Sequence, residues 1–370
     1  CRASTASEFE AFVDSMPKAP EHLRDAHRLA AYVNWATTVA PCGLLKRHTL
    51  LMSKKMMTRV WSWDQCFNAM ALAGGQDNLA MDQMLLLVDH QDEFGSYPDA
   101  IDDIGIHYNY SKPPVHGWAF ASMLETMSEQ PDAATMKTMY DSLSRQADWW
   151  MTYRRKEDSE LPYYLHGNDS GWDNSTMFDQ GVPLEAPDLA ALLVVQMDAL
   201  AELCLKVGQP EDQQRWRERA GRLFDALMNE LWQGDHFAAR LANDHTLVPT
   251  RSLIPWLAAI LGERLPEDVR ACLKSGIECH LTEWGLATEH PDSPTYESDG
   301  YWRGPIWGPS TYIAVSGMER CGLPEFARQI AKRYCAMCAK SGFAENYDAL
   351  TGAPLRDPAY TWSASAFLLM

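Results

Sequence analysis

Apolar residues return every three to four positions from one end of this chain to the other, and that periodicity decides most of what it can fold into. Met136, Met139, Tyr140, Leu143, Ala147, Trp150 and Met151 form one such stripe. Trp216, Ala220, Leu223, Leu227 and Leu231 form a second, and Phe326, Ala327, Ile330, Ala331, Tyr334 and Met337 a third. Residues at this spacing lie along one side of an α-helix, so these are helices with one wet face. The segment from Leu189 to Leu205 differs, because only Gln196, Asp198 and Glu202 interrupt it. A helix apolar on nearly all sides is buried on most of them. Stretches that alternate with period two, as half-buried strands do, are few.

Helices are expected near 20–42, 63–75, 78–90, 115–130, 132–156, 187–207, 211–233, 251–262, 266–280, 306–321, 324–341 and from 361 to the end. Short turns such as Val207-Gly208-Gln209-Pro210 and Gly322-Leu323-Pro324 join many of them, which makes successive helices antiparallel. Buried and half-wet helices imply an inner and an outer layer. Twelve helices in six hairpins close into an all-α (α/α)6 barrel, a six-hairpin toroid with long functional loops at one end. A solenoid would show self-similarity at a period of about 30 to 50 residues, and the chain shows none. Residues 1–370 are read as a single catalytic domain. The chain opens at Cys1 and stops at Met370 inside an apolar stretch, so this domain is expected to be trimmed at both ends.

Charge narrows the partners. Lys and Arg number 32 against 50 Asp and Glu, a net charge of −18. Such a surface repels phosphate backbones and anionic lipid, so neither nucleic acid nor a membrane is expected as a partner. No apolar run approaches the roughly 20 residues that span a bilayer. Nine dispersed cysteines do not form the dense framework of small secreted domains, and a cytoplasmic setting is expected. Cys335 and Cys338 make the one C-x-x-C pair; the helical pattern puts both on one apolar face, as small hydrophobes rather than as zinc or redox ligands.

Four stretches break the helical pattern, near 92–114, 157–186, 237–250 and 281–305, and long irregular loops in a compact domain are usually functional. The second contains His166-Gly167-Asn168-Asp169-Ser170-Gly171-Trp172-Asp173-Asn174-Ser175. Counted from Asp169, it lacks the Gly at position six and the Glu at position twelve of a calcium loop. Read plainly it is a turn, but a carboxyl beside an indole is also how a raised pKa is made. Asp173 is therefore a candidate general acid. Glu345, in Phe343-Ala344-Glu345-Asn346-Tyr347-Asp348, is a candidate base. Tyr301-Trp302-Arg303-Gly304-Pro305-Ile306-Trp307 offers two indoles and a guanidinium, either a core cluster or a surface for sugar rings and hydroxyls. Trp61-Ser62-Trp63-Asp64 adds indoles and an acid, and Lys112-Pro113-Pro114 follows the loop that ends at Asp99. Two loop carboxylates lined by aromatic residues make the kit of a glycosidase, one acid protonating the leaving oxygen and the other activating water.

These motifs, Tyr301 to Trp307, Gly171 to Ser175, Trp63-Asp64, Lys112-Pro113-Pro114, and Glu345 to Asp348 with Thr351-Gly352, resemble family 63 of the glycoside hydrolases. That family holds processing and bacterial α-glucosidases and the mannosylglycerate and glucosylglycerate hydrolases; the trehalases of family 37 are more distant relatives. The motifs run in the family's order from about residue 59 to 362. The resemblance implies the (α/α)6 barrel and hydrolysis with inversion, with Asp173 as general acid and Glu345 as general base. It implies that Trp63, Asp64, Lys112, Trp172, Tyr301, Trp302, Arg303 and Trp307 line the sugar end of the pocket. Inversion asks for carboxyl groups about 6.5–9.5 Å apart. The chemistry needs no cofactor and no metal.

The leading reading is an inverting, exo-acting α-glycosidase, an α-glucosidase acting on a small glucoside or disaccharide. Hydrolysis of glucosylglycerate or mannosylglycerate is the sibling reading, with Arg59 and Lys112 as cations for the anionic substrate, and trehalase follows. A carbohydrate-binding protein with an inactive barrel is disfavoured because both acids are retained. A D-D-x-x-D cluster, an H-E-x-x-H pair and a P-loop are all lacking.

Overall fold

The computed structural model describes residues 2–370. Helix α1 spans Arg2–Ser15, α2 Arg24–Thr37, α3 Ser62–Leu72, α4 Asp77–Asp89, α5 His116–Thr126 and α6 Ala133–Tyr153. After these come α7 Pro187–Lys206, α8 Asp212–Ala226, a 3₁₀ segment Ile254–Arg264, α9 Glu267–Cys279, α10 Gly308–Arg320, α11 Pro324–Ser341 and α12 Thr361–Leu369.

Six of these elements close a ring. α3 packs on α5, α5 on α7, α7 on the 3₁₀ segment, that segment on α10, α10 on α12, and α12 back on α3. Between them in sequence run the outer members, with α2 against α12, α4 against α3, α6 and α8 against α7, α9 against the 3₁₀ segment and α11 against α10. This is the expected (α/α)6 toroid. Every residue of α3 is buried, as is Thr361 to Leu368 of α12. The outer α8 buries only Trp216, Ala220, Leu223 and Ala226, one stripe of its surface.

The departures from expectation have local causes. One inner element is 3₁₀ rather than α, and Gly262 within it has a φ of 61°. A Cβ there would stand 2.7 Å from the Arg320 carbonyl oxygen, so the close approach to α10 requires glycine. α1 lies outside the expected set, because it buries only Phe12 fully; Phe9 packs on Tyr32 and Trp35 of α2 instead. The long loops are not irregular throughout. They fold into two-residue and three-residue strands, all antiparallel. One sheet joins β1 (Thr38–Val39) to β2 (Thr49–Leu50), and another orders β3 (Val60–Trp61), β4 (Ala100–Ile101) and β5 (Ile106–His107). The largest joins β6 (Tyr163–Tyr164), β7 (Leu184–Glu185), β8 (Ala239–Leu241) and β9 (Leu247–Val248), and β10 (Asn346–Tyr347) pairs with β11 (Pro354–Leu355).

In the largest sheet Glu185 pairs across from Arg240. Glu185 is fully buried; the Arg240 guanidinium binds it and Glu230, and the Ser159 hydroxyl donates to it at 3.0 Å. Removing one partner of a buried pair strands the other charge. Arg240→Met is therefore expected to cost about 3–5 kcal/mol of stability, seen as an earlier urea midpoint at unchanged slope.

Of the nine cysteines, the eight that lie among the described residues are free thiols. Cys335 and Cys338 are both buried on α11, and burial pushes the Cys335 thiol up to about 12 and Cys338 higher still. Neither is a thiolate at physiological pH, in keeping with a packing role. Among the described residues no helix is long and apolar enough to cross a membrane, and no cluster of His, Cys, Asp and Glu is arranged to hold a metal.

Candidate active site

The sequence motifs gather where the loops enter the inner helices. Trp63 and Asp64 lie in the first turn of α3, Lys112 just before α5, Trp307 at the N-cap of α10 and Trp362 in the first turn of α12. None of these helices is capped by a side chain of its own N-cap residue. Their first N–H groups carry the positive ends of the helix dipoles, which favours the acid-rich lining found there.

Asp173 follows a 3₁₀ turn, Gly167–Ser170. The turn is fastened by Asp169, which accepts from Ser111 N, Leu165 N and Arg154 Nη1, each at 2.9 Å. Gly171 then turns the chain with φ 73°, and a Cβ there would meet the Trp63 ring at 2.5 Å. Past Asp173, the Asn174 side chain donates to Gly300 O and accepts from Trp302 N, both at 3.0 Å. Arg303 donates to Asn174 O at 2.8 Å and pairs with Asp179 at 2.5 Å. The guanidinium therefore splices the Tyr301–Trp307 loop to the loop that carries Asp173. Tyr301 holds a left-handed φ of 64°, uncommon for a side chain of this size. Its carbonyl is pinned by Trp307 Nε1 at 2.8 Å, and its hydroxyl lies against Asp173.

The indoles form one cluster. Trp302 and Trp307 stack at 4.1 Å with planes 3° apart, Trp172 lies 4.7 Å from Trp302, and Trp63 lies 6.3 Å from it. Trp362, absent from the expected set, stands edge-on to Trp307 at 5.1 Å and to Trp63 at 5.9 Å. Its Nε1 donates to Glu345 O at 3.1 Å, while Glu345 N donates to Asp357 O at 2.7 Å. The backbone of Glu345 is thus clamped on both sides and its side chain is buried.

Burial raises the pKa of all three acids. For Asp173 the Asp99 charge adds to this, while Lys112 and the Tyr301 hydroxyl oppose it. For Glu345 a hydrogen bond from the Asp357 backbone and the charge of Arg356 oppose burial, while the charges of Asp357 and Asp173 add to it. Asp64 is pushed furthest, to about 8, against the pull of Lys112, and its Oδ2 has no hydrogen-bond partner among the described residues. The mutual influence places Asp64, Asp173 and Glu345 in one electrostatic neighbourhood.

Two further charged residues belong to this neighbourhood and lie outside the expected set. Asp99 pairs with Lys112 at 3.3 Å. Arg356 lies 5.0 Å over the Tyr301 ring, pairs with Asp299 at 2.7 Å and donates to Asn346 Oδ1 at 3.0 Å. Both sit in segments that read as loops, but neither shows a spacing that marks it. Arg59 pairs with Asp102 at 2.8 Å and is half-exposed.

A raised carboxyl pKa makes stability depend on pH. Between the ordinary value of 3.8 and about 8 the folded protein keeps the Asp64 proton that the unfolded chain releases. Unfolding then releases protons, so stability falls as pH rises through that window. Asp64→Asn is expected to flatten the decline of the thermal midpoint between about pH 5 and 8, measured by calorimetry. An equal slope in both proteins would contradict it.

The mannosylglycerate hydrolase MGH1-like glycoside hydrolase domain matches residues 57–363. A mannosylglycerate hydrolase from Rubrobacter radiotolerans is 24% identical, over 83% of this chain and 89% of that protein. A glucosylglycerate hydrolase from Mycolicibacterium hassiacum is also 24% identical, over 84% and 91%. In fold, the GH63 mannosylglycerate hydrolase from Thermus thermophilus in complex with Tris and D-glycerate is similar at TM-score 0.81 and 17% identity, covering 92% of this chain and 98% of that one. A neutral trehalase from Saccharomyces cerevisiae follows at TM-score 0.67 and 15% identity, over 85% and 71%. With the ring, the motif loops and the family match in agreement, this chain belongs to the mannosylglycerate hydrolase MGH1-like glycoside hydrolases, of the GH63 type, and is a glycosidase.

Proposed function

We propose that the chain hydrolyses the α-glycosidic bond of a small hexoside with inversion, Asp173 serving as general acid and Glu345 as general base. The observation that carries this is the pair of carboxyls, Asp173 and Glu345, gathered in one electrostatic neighbourhood and both raised above their ordinary range by burial. In such a pair one group ionises first, and its charge then holds the proton on the other, which yields one acid and one base near neutral pH. The roles follow the Gly-Trp-Asp and Glu-Asn-Tyr-Asp motifs. Asp173 protonates the glycosidic oxygen as its bond to the anomeric carbon breaks. Glu345 takes a proton from a water that attacks that carbon from the opposite face, which inverts its configuration. The packed indoles wall this neighbourhood with apolar surface and exclude bulk water.

For the substrate, α-mannosylglycerate or α-glucosylglycerate fits better than a neutral disaccharide. Support comes from the relatives, whose named activities are on these two compounds and which span more than four-fifths of the chain. Lys112 and Arg356 are cations in the site's neighbourhood that suit an anionic leaving group. The test is kcat/KM on both glycerates beside kojibiose, nigerose and trehalose. The glycerates are expected to lead by more than about tenfold, a difference of about 1.4 kcal/mol. A disaccharide turned over as well or better would restore the α-glucosidase or trehalase reading.

A further inference from the structure

Lys112 is a buried cation set among three carboxyls. Its ammonium lies 3.3 Å from Asp99 Oδ1 and donates to Asn168 O at 2.8 Å. Only 8% of Lys112 and 6% of Asp99 reach solvent, so water screens this pair poorly. Asn168 sits in the turn that leads into Asp173, and the same ammonium acts on Asp64 and Asp173. A bare cation there would draw the proton off the general acid, which has to arrive protonated to do its work. The nearby acids leave Asp99 as its counter-charge: Asp169 is already held by Arg154 and two backbone N–H groups, and Asp102 by Arg59 and His107. Among the described residues Asp99 Oδ1 has no hydrogen-bond partner apart from this ion pair.

We infer that Asp99 is a positioning residue that acts through Lys112: it holds the ammonium in a buried pair, so that the cation does not draw the proton off Asp173. This rests on the assignment of Asp173 as the acid. The groups facing Asp173 are Lys112, Asp99, the Tyr301 hydroxyl and His166, with Asp64 and Glu345 across the site. Those facing Asp99 are Lys112, Asp169 and His107. His166 stacks on Tyr110 at 4.8 Å and accepts from Asn168 N at 3.0 Å; being common to every variant, it moves all profiles alike.

The test is the pH dependence of kcat/KM for the wild type, Asp99→Asn, Lys112→Gln and the double variant. The alkaline limb reports loss of the acid's proton and the acidic limb protonation of the base. Asp99→Asn is expected to move the alkaline limb down by about one pH unit and Lys112→Gln to move it up by about as much, the size of shift one neighbouring charge brings. The double variant should return near the wild type, with the acidic limb little changed throughout. Should Asp99→Asn alone fail to fold, the double variant must still show an alkaline limb below that of Lys112→Gln. Limbs that stay in place while rates fall, or that move the same way in both single variants, overturn the inference. Asp173→Asn separates the two readings. If that variant is inactive on a poor leaving group while these limbs stay fixed, Asp99 is excluded and the acid stands. If it keeps wild-type rates, the acid assignment fails, and this inference with it.

Discussion

Asp173→Asn is expected to lower kcat on a natural glycoside by at least about 10²–10⁴-fold, the usual contribution of a general acid, with the barrel intact. The loop survives because other groups hold it. Asp169 fastens the preceding turn, and Asn174 and Arg303 tie the following residues to the Tyr301–Trp307 loop. The carboxyl itself accepts from the Tyr301 hydroxyl, and an asparagine oxygen accepts from that hydroxyl equally well. The loss should depend on the leaving group. A glycosyl fluoride departs without a proton, so the variant is expected to approach wild-type rates on it, while a glycerate or sugar leaving group stays slow. Steady-state kinetics on the two substrate types check this. A uniform loss on both would assign Asp173 a binding role instead.

Glu345→Gln should fall as far, but without that dependence. Activation of water is needed whatever group leaves, so fluoride and glycerate substrates are expected to lose about 10²–10⁴-fold alike. The backbone stays in place because Asp357 O and Trp362 Nε1 bind the main chain of Glu345, not its carboxyl. Azide needs no base, and it is expected to restore turnover of the fluoride as a glycosyl azide of inverted configuration. A variant with full activity on either substrate would remove Glu345 from the chemistry.

The ring itself is legible because burial writes itself into period 3.6. α7 reads as apolar on nearly all sides and is an inner member, whereas α8 reads as one stripe and lies outside. What escapes is short or distant. Strands of two residues carry no alternation for a pattern to catch. The kink at Gly262 within Ile254–Arg264 stands where the backbone approaches Arg320, a contact between segments far apart in sequence. α1 gains its place through Phe9 against Tyr32 and Trp35, aromatic contacts that no stripe within the helix announces.

The site divides the same way. Asp173 and Glu345 stand out because each sits in a loop beside aromatic residues, and the structure brings both into one electrostatic neighbourhood. Arg303 draws notice as a cation between indoles, yet its partner Asp179 lies 124 positions away. That splice is invisible until the loops are folded. Asp99 and Arg356 escape because their chemistry lies in which charge they face, Lys112 for one and Glu345 for the other.

The central claim is inversion, and the anomer of the first product formed tests it most directly. The protein is mixed with α-mannosylglycerate or α-glucosylglycerate and proton NMR spectra are collected before the freed sugar mutarotates. Early accumulation of the β-anomer is the predicted result, since water activated by Glu345 enters opposite the departing group. Early accumulation of the α-anomer would contradict the account, because it requires a covalent glycosyl-enzyme and a carboxylate acting as nucleophile.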